Sequence, residues 1–433
     1  MKALCINPPV YDFAAYDFWM KPLGFLTLID LLKKNNFEIF FFDFMDRNHP
    51  FYENFRKKEK YGCGNFYYQI VEKPGIYKDV PRRYKRYGLP LDIFENFLDS
   101  ISPPDFIFIT SGMTYWCIGV EEVVKIVKRK FPSVPVILGG IYASLCPSHA
   151  QKTGADMIFE GKDLRKFVKV FSEKFSVVLN FLEKIQPCWD VYEKLSYLCV
   201  KTSSGCPFSC YYCAIKKLEP GITQFPEEEI VEHIIKNSEK FHVRDIAFYD
   251  DALLLNFEKH LLPILKNITA HIKNLRFHTP NGVHPRYITE EVAYILKEMN
   301  FKTIRLSLET ISPEREKESG YKVSFQEFEN SIKFLIDAGF TEEEIGVYIL
   351  AGLPGQSYEE VMETVRILKN YPCKIKIAEY SPIPGTVDFE ISKKLYPELP
   401  LDNPLFQNNT IFPLWNFPDK WEKINKLKEY KNL

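Results

Sequence analysis

Three cysteines stand close together in the middle of the chain, at Cys206, Cys210 and Cys213, in the spacing C-x3-C-x2-C. A structural zinc site uses four Cys or His ligands, and a ferredoxin-type iron–sulfur cluster uses four thiolates. A group of three thiols therefore leaves one metal position open to another ligand. The alternative is three buried core thiols, since isolated cysteines behave as small hydrophobic side chains. The short spacing favours a cluster with one open iron.

The loop from Cys206 to Cys213 resembles the signature of the radical S-adenosylmethionine superfamily. In that family three thiolates hold a [4Fe-4S] cluster, and the open iron is chelated by the amine and carboxylate of S-adenosylmethionine. Electron transfer then cleaves the sulfonium and gives a 5'-deoxyadenosyl radical. The resemblance implies that Cys206, Cys210 and Cys213 are catalytic metal ligands and that Tyr212 stacks on the adenine of the cofactor.

Alternating strands and helices must position this loop, and they recur at roughly 30-residue spacing in the second half of the chain. Strands are expected at 198–204, 245–249, 275–279, 303–308, 346–350 and 374–379. Helices are expected between them, for example at 226–240 and at 324–338, where Gly339 closes the helix. Six units instead of eight predict a partial TIM-type (β/α)6 barrel, which is also the architecture that the resemblance implies.

Polar and small residues follow these strands at their carboxyl ends, where βα barrels carry their active sites. They are Asp250, Asp251, Glu309, Gly352, Pro354, Gly355, Ser381 and Pro384. The resemblance implies that the Asp250-Asp251 pair holds the methionine amine, that Glu309 contacts the methionine or the ribose, and that the two later loops contact the adenine. A helix N-cap is the structural alternative for the aspartates. His278 and His284 are interpreted as packing or hydrogen-bonded residues.

The first 186 residues also alternate between strand and helix, which predicts a doubly wound, Rossmann-like parallel sheet. Strands are expected at 2–7, 38–43, 105–110, 134–138 and 155–159, and helices at 22–36 and 120–130. This half resembles the cobalamin-binding domain that precedes many radical S-adenosylmethionine barrels, through Asn7-Pro8-Pro9 and Gly139-Gly140. A D-x-H-x-x-G motif, which supplies a histidine to cobalt, is absent. Cobalamin binding therefore stays open, because Tyr115, Trp116 and Tyr142 at the strand ends could fill the pocket.

The predicted organisation is a Rossmann-like domain at 1–186, a barrel at 187–395 and a C-terminal extension at 396–433 that covers the open side of the barrel. An insertion at about 47–91 interleaves basic residues with tyrosines. Insertions of this length are often binding loops, which suggests a cap over an anionic substrate. The alternative is a solvated excursion whose tyrosine rings pack on the sheet.

The composition is that of an ordinary globular protein, with 46% hydrophobic residues and a formal net charge of -1. This charge argues against a generally nucleic-acid-binding surface. No uncharged apolar run reaches the roughly 20 residues of a membrane span. Ten cysteines without a small disulfide framework predict the reducing cytoplasm.

The resemblance implies an enzyme that cleaves S-adenosylmethionine under anaerobic conditions, with an electron from a donor such as flavodoxin or ferredoxin. The radical would abstract hydrogen from a small-molecule or lipid-like organic substrate, and methyl transfer would follow if cobalamin is bound. A cobalamin-independent radical rearrangement, cyclisation or carbon–carbon coupling is the second hypothesis. A non-catalytic iron–sulfur module is the third.

Overall fold

The computed structural model describes residues 1–55, 60–318 and 322–430, and the chain divides into two units. The N-terminal unit comprises Met1–Leu195 and Asp402–Asn408, and the barrel unit comprises Ser196–Leu401 and Asn409–Leu433. The first division therefore falls later than residue 186, because the intervening residues pack into the N-terminal unit. Tyr192, for example, donates from its hydroxyl to Asp43 Oδ2 at 2.7 Å.

A five-stranded parallel sheet forms the centre of the N-terminal unit. Its strands are β1 (Lys2–Asn7), β2 (Glu38–Asp43), β3 (Phe106–Ile109), β4 (Val136–Leu138) and β5 (Met157–Ile158). They lie in the order β5-β4-β3-β1-β2. The strand order reverses between β1 and β3, and ligands of doubly wound sheets bind beyond the carboxyl ends of strands at such a point. The predicted fold is confirmed.

The helices of this unit follow from apolar residues spaced three and four apart. The helix predicted at 22–36 spans Leu23–Lys34 and buries Phe25, Leu26, Ile29, Leu31 and Leu32. The other α-helices are Leu91–Ser100, Cys117–Lys130, Ile141–Leu145, Pro147–Ala150 and Leu164–Phe175. Each short loop between a strand and the next helix leaves its side chains at the carboxyl edge of the sheet.

The insertion folds into the N-terminal unit instead of forming a separate excursion. Its strands Tyr68–Ile70 and Lys85–Tyr87 form an antiparallel sheet with Val10–Asp12. Tyr77 and Tyr84 are buried, and their rings lie 5.3 Å apart. This burial supports the packing interpretation for the tyrosines. Three basic residues of the insertion, Arg56, Lys57 and Lys58, contribute to the predicted cap and lie outside the described residues.

A short part of the C-terminal extension belongs to the N-terminal unit. Within Asp402–Asn408, the side chain of Asn408 donates to Asp12 Oδ1 at 3.0 Å, and the carbonyl of Leu405 accepts from the Tyr77 hydroxyl at 2.5 Å. The extension was expected to cover the barrel, and the buried carboxylate of Asp12 gives this segment a different partner. The residues from Asn409 onwards return to the barrel unit.

Six parallel strands in sequential order form the sheet of the barrel unit. They are β6 (Leu198–Val200), β7 (Asp245–Phe248), β8 (Arg276–His278), β9 (Phe301–Glu309), β10 (Ile345–Ala351) and β11 (Lys374–Glu379). The first strand predicted at 198–204 is in fact two, because Ser203–Gly205 turns away and pairs antiparallel with Ile222–Gln224. The six-stranded partial barrel is otherwise as predicted.

Helices connect the strands of the barrel unit, and four of those described begin at a side-chain cap, at Thr289, Ser324, Ser357 and Thr386. Ser324 and Glu327 form a capping box at the start of Phe325–Asp337, the helix predicted at 324–338. The other α-helices are Ile215–Leu218, Glu227–Phe241, Leu261–His271, Glu290–Glu298, Pro313–Glu318, Tyr358–Leu368, Val387–Leu395 and Lys420–Glu429. Across the described ranges of both units, no helix is both long enough and apolar enough to cross a membrane.

Candidate active site

The cysteine loop leaves the barrel immediately after the Ser203–Gly205 strand. Gly205 has a φ of +82°, and a Cβ at this position would lie 1.9 Å from the carbonyl oxygen of Gly221. Only glycine fits there without a backbone shift. The backbone N–H of Cys213 donates to the carbonyl of Cys210 at 3.1 Å, which closes a turn inside the loop. The three thiols are free and half-buried.

The donor set of this loop fits an iron–sulfur cluster better than a single ion. Among the described residues, the sulfur atoms of Cys206, Cys210 and Cys213 do not all lie within 4.8 Å of one another, although the ligands of one ion must. Ligands to separate irons are spaced more widely. Burial raises the pKa of all three thiols, and the positive charge of Lys322 opposes this shift. Thiolate formation at this loop is therefore favoured by metal binding.

Glu309 is aimed at the cysteine loop by an irregularity in its strand. The register of β9 against β10 shifts between Ser307 and Glu309, and Glu309 has a φ of 74°. A bulge re-aims the side chains that follow it, and a left-handed conformation in a residue other than glycine is a strain that clusters at functional sites. The Tyr212 hydroxyl donates to Glu309 Oε1 and thereby joins the loop to the end of β9.

Lys322 completes this group, and sequence reasoning missed it. Its ammonium pairs with Glu309 Oε1 and lies 3.1 Å from the Tyr212 hydroxyl oxygen. The side chains of Lys322 and Glu309 are 11% and 9% exposed, so the pair is only weakly screened by water. Lys322 lies in an irregular segment that carries no motif, and no signal in the sequence joins it to Glu309.

Burial and neighbouring charges determine the protonation states of Tyr212 and Lys322. Burial raises the pKa of Tyr212 well above its ordinary value, and the charge of Glu309 adds to the rise, so the phenol stays protonated and donates. Burial alone would lower the pKa of Lys322, but Glu309 and the nearby thiols hold it above the ordinary value. Within the described part of the chain, both contacts to Glu309 use Oε1. Oε2 is therefore available to accept from an amine or a hydroxyl.

The predicted aspartates occupy the end of β7 and hold the strand that leads into the cysteine loop. Asp250 Oδ1 accepts from the backbone N–H and the hydroxyl of both Thr202 and Ser203, at 2.6–2.9 Å. Asp251 Oδ2 lies 3.1 Å from Lys201 Nζ. The next α-helix begins only at Leu261, so neither aspartate is its N-cap. Asp250 thus positions the loop, and a direct contact of either carboxylate with the cofactor amine stays a prediction.

Glu219 is a second residue that the sequence did not indicate. Its Oε2 accepts from the Ser204 hydroxyl at 2.6 Å and from the backbone N–H of Gly205 at 3.0 Å. It also pairs with Lys201 Nζ at 2.9 Å. Glu219 follows the three cysteines, and it fixes the start of their loop through contacts that span less than twenty residues.

The loop after β10, expected to contact adenine, turns at its two glycines. Gly352 and Gly355 have φ values of +93° and +66°. The side-chain oxygen of Gln356 accepts from the backbone N–H groups of Gly352 and Leu353 at 2.8 and 3.1 Å. The carbonyl of Pro354 accepts from Arg315 at 2.9 Å. The turn is rigid and lies at the carboxyl edge of the sheet, and its contact with adenine stays a prediction.

The last loop of the sheet is linked to the cysteine loop by the backbone. Ser381 is buried and Pro384 precedes Gly385, which has a φ of +82°. The backbone N–H of Asp388 then donates to the carbonyl of Tyr211 at 3.0 Å. The structure thus joins the cysteine loop directly to Glu309 and to the loop after β11, while cofactor contacts of Ser381 and Pro384 remain predictions.

His284 packs on the cysteine loop as a neutral ring. It stacks on Phe208 with ring centroids 3.9 Å apart and an interplanar angle of 19°. Burial lowers the pKa of His284 to about 2, and the charges of Lys322 and Arg286 contribute. The packing role expected for His284 matches this contact.

We expect this histidine to make the protein less stable in mild acid. In the unfolded chain the imidazole takes up a proton near pH 6.5, whereas in the folded protein it does so only at about pH 2. Between these values the unfolded state binds more protons, so stability falls as the pH drops below 6.5, by up to about 1.4 kcal/mol per pH unit. His284→Phe should remove this part of the pH dependence of the urea midpoint.

A matched control for this variant is His271→Gln, because His271 is exposed. It should not remove the part of the pH dependence of the urea midpoint that His284→Phe removes. An equal slope in the wild type and in His284→Phe would contradict the prediction.

Comparison with known proteins bears on the same residues. Residues 200–368 match the Radical SAM superfamily, and this range contains the cysteine loop, both aspartates, Glu309 and the loop after β10. An uncharacterised methyltransferase of Pyrococcus horikoshii is 24% identical over 326 residues, which are 65% of this chain and 68% of that protein. A threonylcarbamoyladenosine tRNA methylthiotransferase of Thermotoga maritima is 22% identical over 289 residues, covering 62% of this chain and 64% of that protein.

Two solved structures share the fold along nearly the whole chain. The radical S-adenosylmethionine methyltransferase TsrM of Kitasatospora setae, with tryptophan and a cofactor analogue bound, has a TM-score of 0.65 at 15% identity and covers 91% of this chain and 76% of that one. The cobalamin-dependent enzyme OxsB has a TM-score of 0.57 at 12% identity. It covers 100% of this chain, which spans only 62% of the OxsB chain.

At such identities the structural likeness is one of fold, and it extends to both units. The matched range includes the three thiols of the cysteine loop and Glu309, which is joined to that loop through Tyr212. The chain is therefore an enzyme whose residues 200–368 match the Radical SAM superfamily.

Proposed function

We propose that this protein is a cobalamin-dependent radical S-adenosylmethionine methyltransferase acting on an organic substrate. Its cluster ligands are Cys206, Cys210 and Cys213, and Glu309 holds the amine or a ribose hydroxyl of S-adenosylmethionine. When bound and reduced, the cluster supplies the electron that cleaves the sulfonium. That electron would come from a donor such as flavodoxin or ferredoxin.

The observation that carries this proposal is the available oxygen of Glu309 beside the cysteine loop. Its Oε1 is held by Tyr212 and Lys322, so the carboxylate has a fixed direction before any ligand arrives. A preorganised carboxylate binds a cationic ligand without further ordering of the side chain. Glu309 can therefore orient the methionine end or the ribose of S-adenosylmethionine beside the three thiols that would hold the cluster.

Cobalamin enters the proposal through the N-terminal unit. Its strand order reverses between β1 and β3, which supplies the crevice that nucleotide-like ligands use in such sheets. TsrM has also been solved with cobalamin and a [4Fe-4S] cluster bound, and that chain shares the fold. The loop that directly follows β1 contains no histidine, so a bound cobalt would lack a histidine ligand from that loop.

A cobalamin-independent radical reaction is the second candidate, and the aromatic residues at the strand ends favour it. Tyr115 and Tyr142 are buried, and Trp116 donates from its indole N–H to Asp12 Oδ2 at 3.0 Å. These rings occupy the edge where a corrin would approach. In this case the protein would cleave S-adenosylmethionine and catalyse a rearrangement, cyclisation or carbon–carbon coupling.

One anaerobic experiment separates the two candidates. The protein is purified with hydroxocobalamin, its cluster is reconstituted, and S-adenosylmethionine is added with dithionite. Both candidates predict 5'-deoxyadenosine by liquid chromatography, because cleavage proceeds slowly even without the organic substrate. Retained cobalt and formation of S-adenosylhomocysteine support the methyltransferase. A protein that makes 5'-deoxyadenosine but retains no cobalt supports the second candidate, and the absence of 5'-deoxyadenosine would contradict both.

A further inference from the structure

A group of three different metal-binding side chains lies in the N-terminal unit. One sulfur, carboxylate or ring-nitrogen atom from each of Cys117, Glu121 and His149 lies within 4.8 Å of the other two. Cys117 and Glu121 are one turn apart on the helix Cys117–Lys130, so they share a face. His149 comes from the separate helix Pro147–Ala150. Ligands from two elements converge on one point.

We propose that Cys117, Glu121 and His149 form a mononuclear zinc site that joins these two helices. Thiolate, imidazole and carboxylate are the ligand types of protein zinc sites, and three such ligands leave a fourth tetrahedral position for water. Zinc–ligand bonds of about 2.0–2.3 Å place the ligand atoms on the order of 3.5 Å apart. The three ligand atoms therefore need to move only a short distance toward one another to bind an ion.

The orientation of His149 is set by a hydrogen bond at one of its ring nitrogens, as metal-binding histidines also have. The hydroxyl oxygen of Tyr142 lies 2.6 Å from His149 Nδ1, and Tyr142 is itself buried. When Nδ1–H donates to this hydroxyl oxygen, Nε2 carries no proton and can bind a metal. Hydrogen bonds of this type fix the ring orientation, and their removal typically weakens metal binding about 10–100-fold.

The charges of the site balance those of a divalent ion. Burial raises the pKa of Cys117, with further contributions from Glu121 and Cys146, so without a metal the thiol is neutral. Burial lowers the pKa of His149, which keeps the ring neutral and able to bind a metal. Zinc would displace the thiol proton, and the thiolate and Glu121 carboxylate would together neutralise the ion. The positive charge of Lys152 also lowers the pKa of His149, whereas the charge of Glu121 raises it.

The test measures zinc by mass spectrometry in the purified holoenzyme after dialysis, with affinity from competition against a chromophoric chelator. One zinc per chain is expected in addition to the iron of the cluster. Cys117→Ser should abolish tight binding, and Glu121→Gln should weaken it tenfold or more. Tyr142→Phe should weaken it about 10–100-fold. Cys63→Ser is the matched control, since Cys63 is a buried thiol of the same unit outside the group, and it should retain the metal.

A second variant controls for zinc that binds to the cysteine loop when the loop lacks its cluster. The variant in which Cys206, Cys210 and Cys213 are all alanine has no thiol in that loop, and it should still bind one zinc. Absence of zinc from both the holoenzyme and this variant would overturn the proposal. Wild-type affinity in both Cys117→Ser and Glu121→Gln would also overturn it. The measurement does not depend on cleavage of S-adenosylmethionine, so either proposal can fail without the other.

Discussion

Replacing Cys206 with alanine is expected to lower the bound iron from about four atoms per chain to background, because the cluster has only three protein thiolates in this loop. Without iron, formation of 5'-deoxyadenosine should fall to the background rate. Cys210→Ala and Cys213→Ala should behave in the same way. Iron and acid-labile sulfide are measured after anaerobic reconstitution, and 5'-deoxyadenosine is measured by chromatography.

The control for these variants is Cys373→Ala, in the same unit. Burial raises the pKa of Cys373 to about 12, so this thiol is a neutral core group and should not bind iron. Its replacement should leave the iron content unchanged. A Cys206→Ala protein that kept about four irons and still made 5'-deoxyadenosine would show that the cluster is held elsewhere.

The parallel sheets could be predicted from the sequence because their strands are short segments rich in apolar residues, separated by helical patterns. Lys2–Asn7, Glu38–Asp43 and Lys374–Glu379 have the predicted bounds. The strand predicted at 198–204 failed at Thr202 because Asp250, almost fifty residues away, accepts from Thr202 and Ser203 and bends the chain. Such a contact depends on the tertiary fold, and local periodicity does not reveal it.

The same limit applies to the candidate site, where local patterns could be predicted but tertiary contacts could not. The three cysteines could be predicted as cluster ligands because they share one loop and have a characteristic spacing. Glu309 could be predicted as a site residue because it ends a strand. The partners of Glu309 could not be predicted. Lys322 lies beyond Pro313–Glu318 and meets Glu309 only after the chain has folded back. The shift in strand register that turns Glu309 toward the loop also has no sequence pattern.

The N-terminal unit shows how composition can mislead. The insertion combines positive charges with tyrosines, which is typical of a surface that binds anions. In the structure Arg86 is buried, and its guanidinium donates to the carbonyl of Leu89 at 2.6 Å. Tyr77 and Tyr84 are core residues. Charge alone therefore did not distinguish a substrate cap from a packed subdomain that buries a cation such as Arg86.

Lys322→Met should cost about 3–5 kcal/mol of unfolding free energy, because it leaves the buried carboxylate of Glu309 without its counter-charge.

Glu309→Gln keeps the shape of the side chain and an acceptor for the Tyr212 hydroxyl. It should weaken S-adenosylmethionine binding about tenfold or more, since a charge-assisted hydrogen bond contributes roughly 1.5–3 kcal/mol. Urea unfolding measures the first effect, and anaerobic calorimetry with S-adenosylmethionine measures the second.

The variant Lys297→Met provides the control for stability. Lys297 pairs with Glu344 at 2.8 Å, but the lysine side chain is 31% exposed. Water screens such a pair, so its loss should cost less than about 1 kcal/mol. Cofactor affinity should not change, because this pair lies at the amino end of β10 and away from the cysteine loop.

The double variant Glu309→Gln/Lys322→Met decides whether Glu309 contacts the cofactor or only pairs with Lys322. Removing both charges leaves no unpaired buried ion, so the double variant should regain most of the stability that Lys322→Met loses. If Glu309 also binds S-adenosylmethionine, affinity should remain about tenfold weaker despite this recovery. Wild-type affinity in the double variant would assign Glu309 a purely structural role, because its only measurable effect would then be to neutralise Lys322.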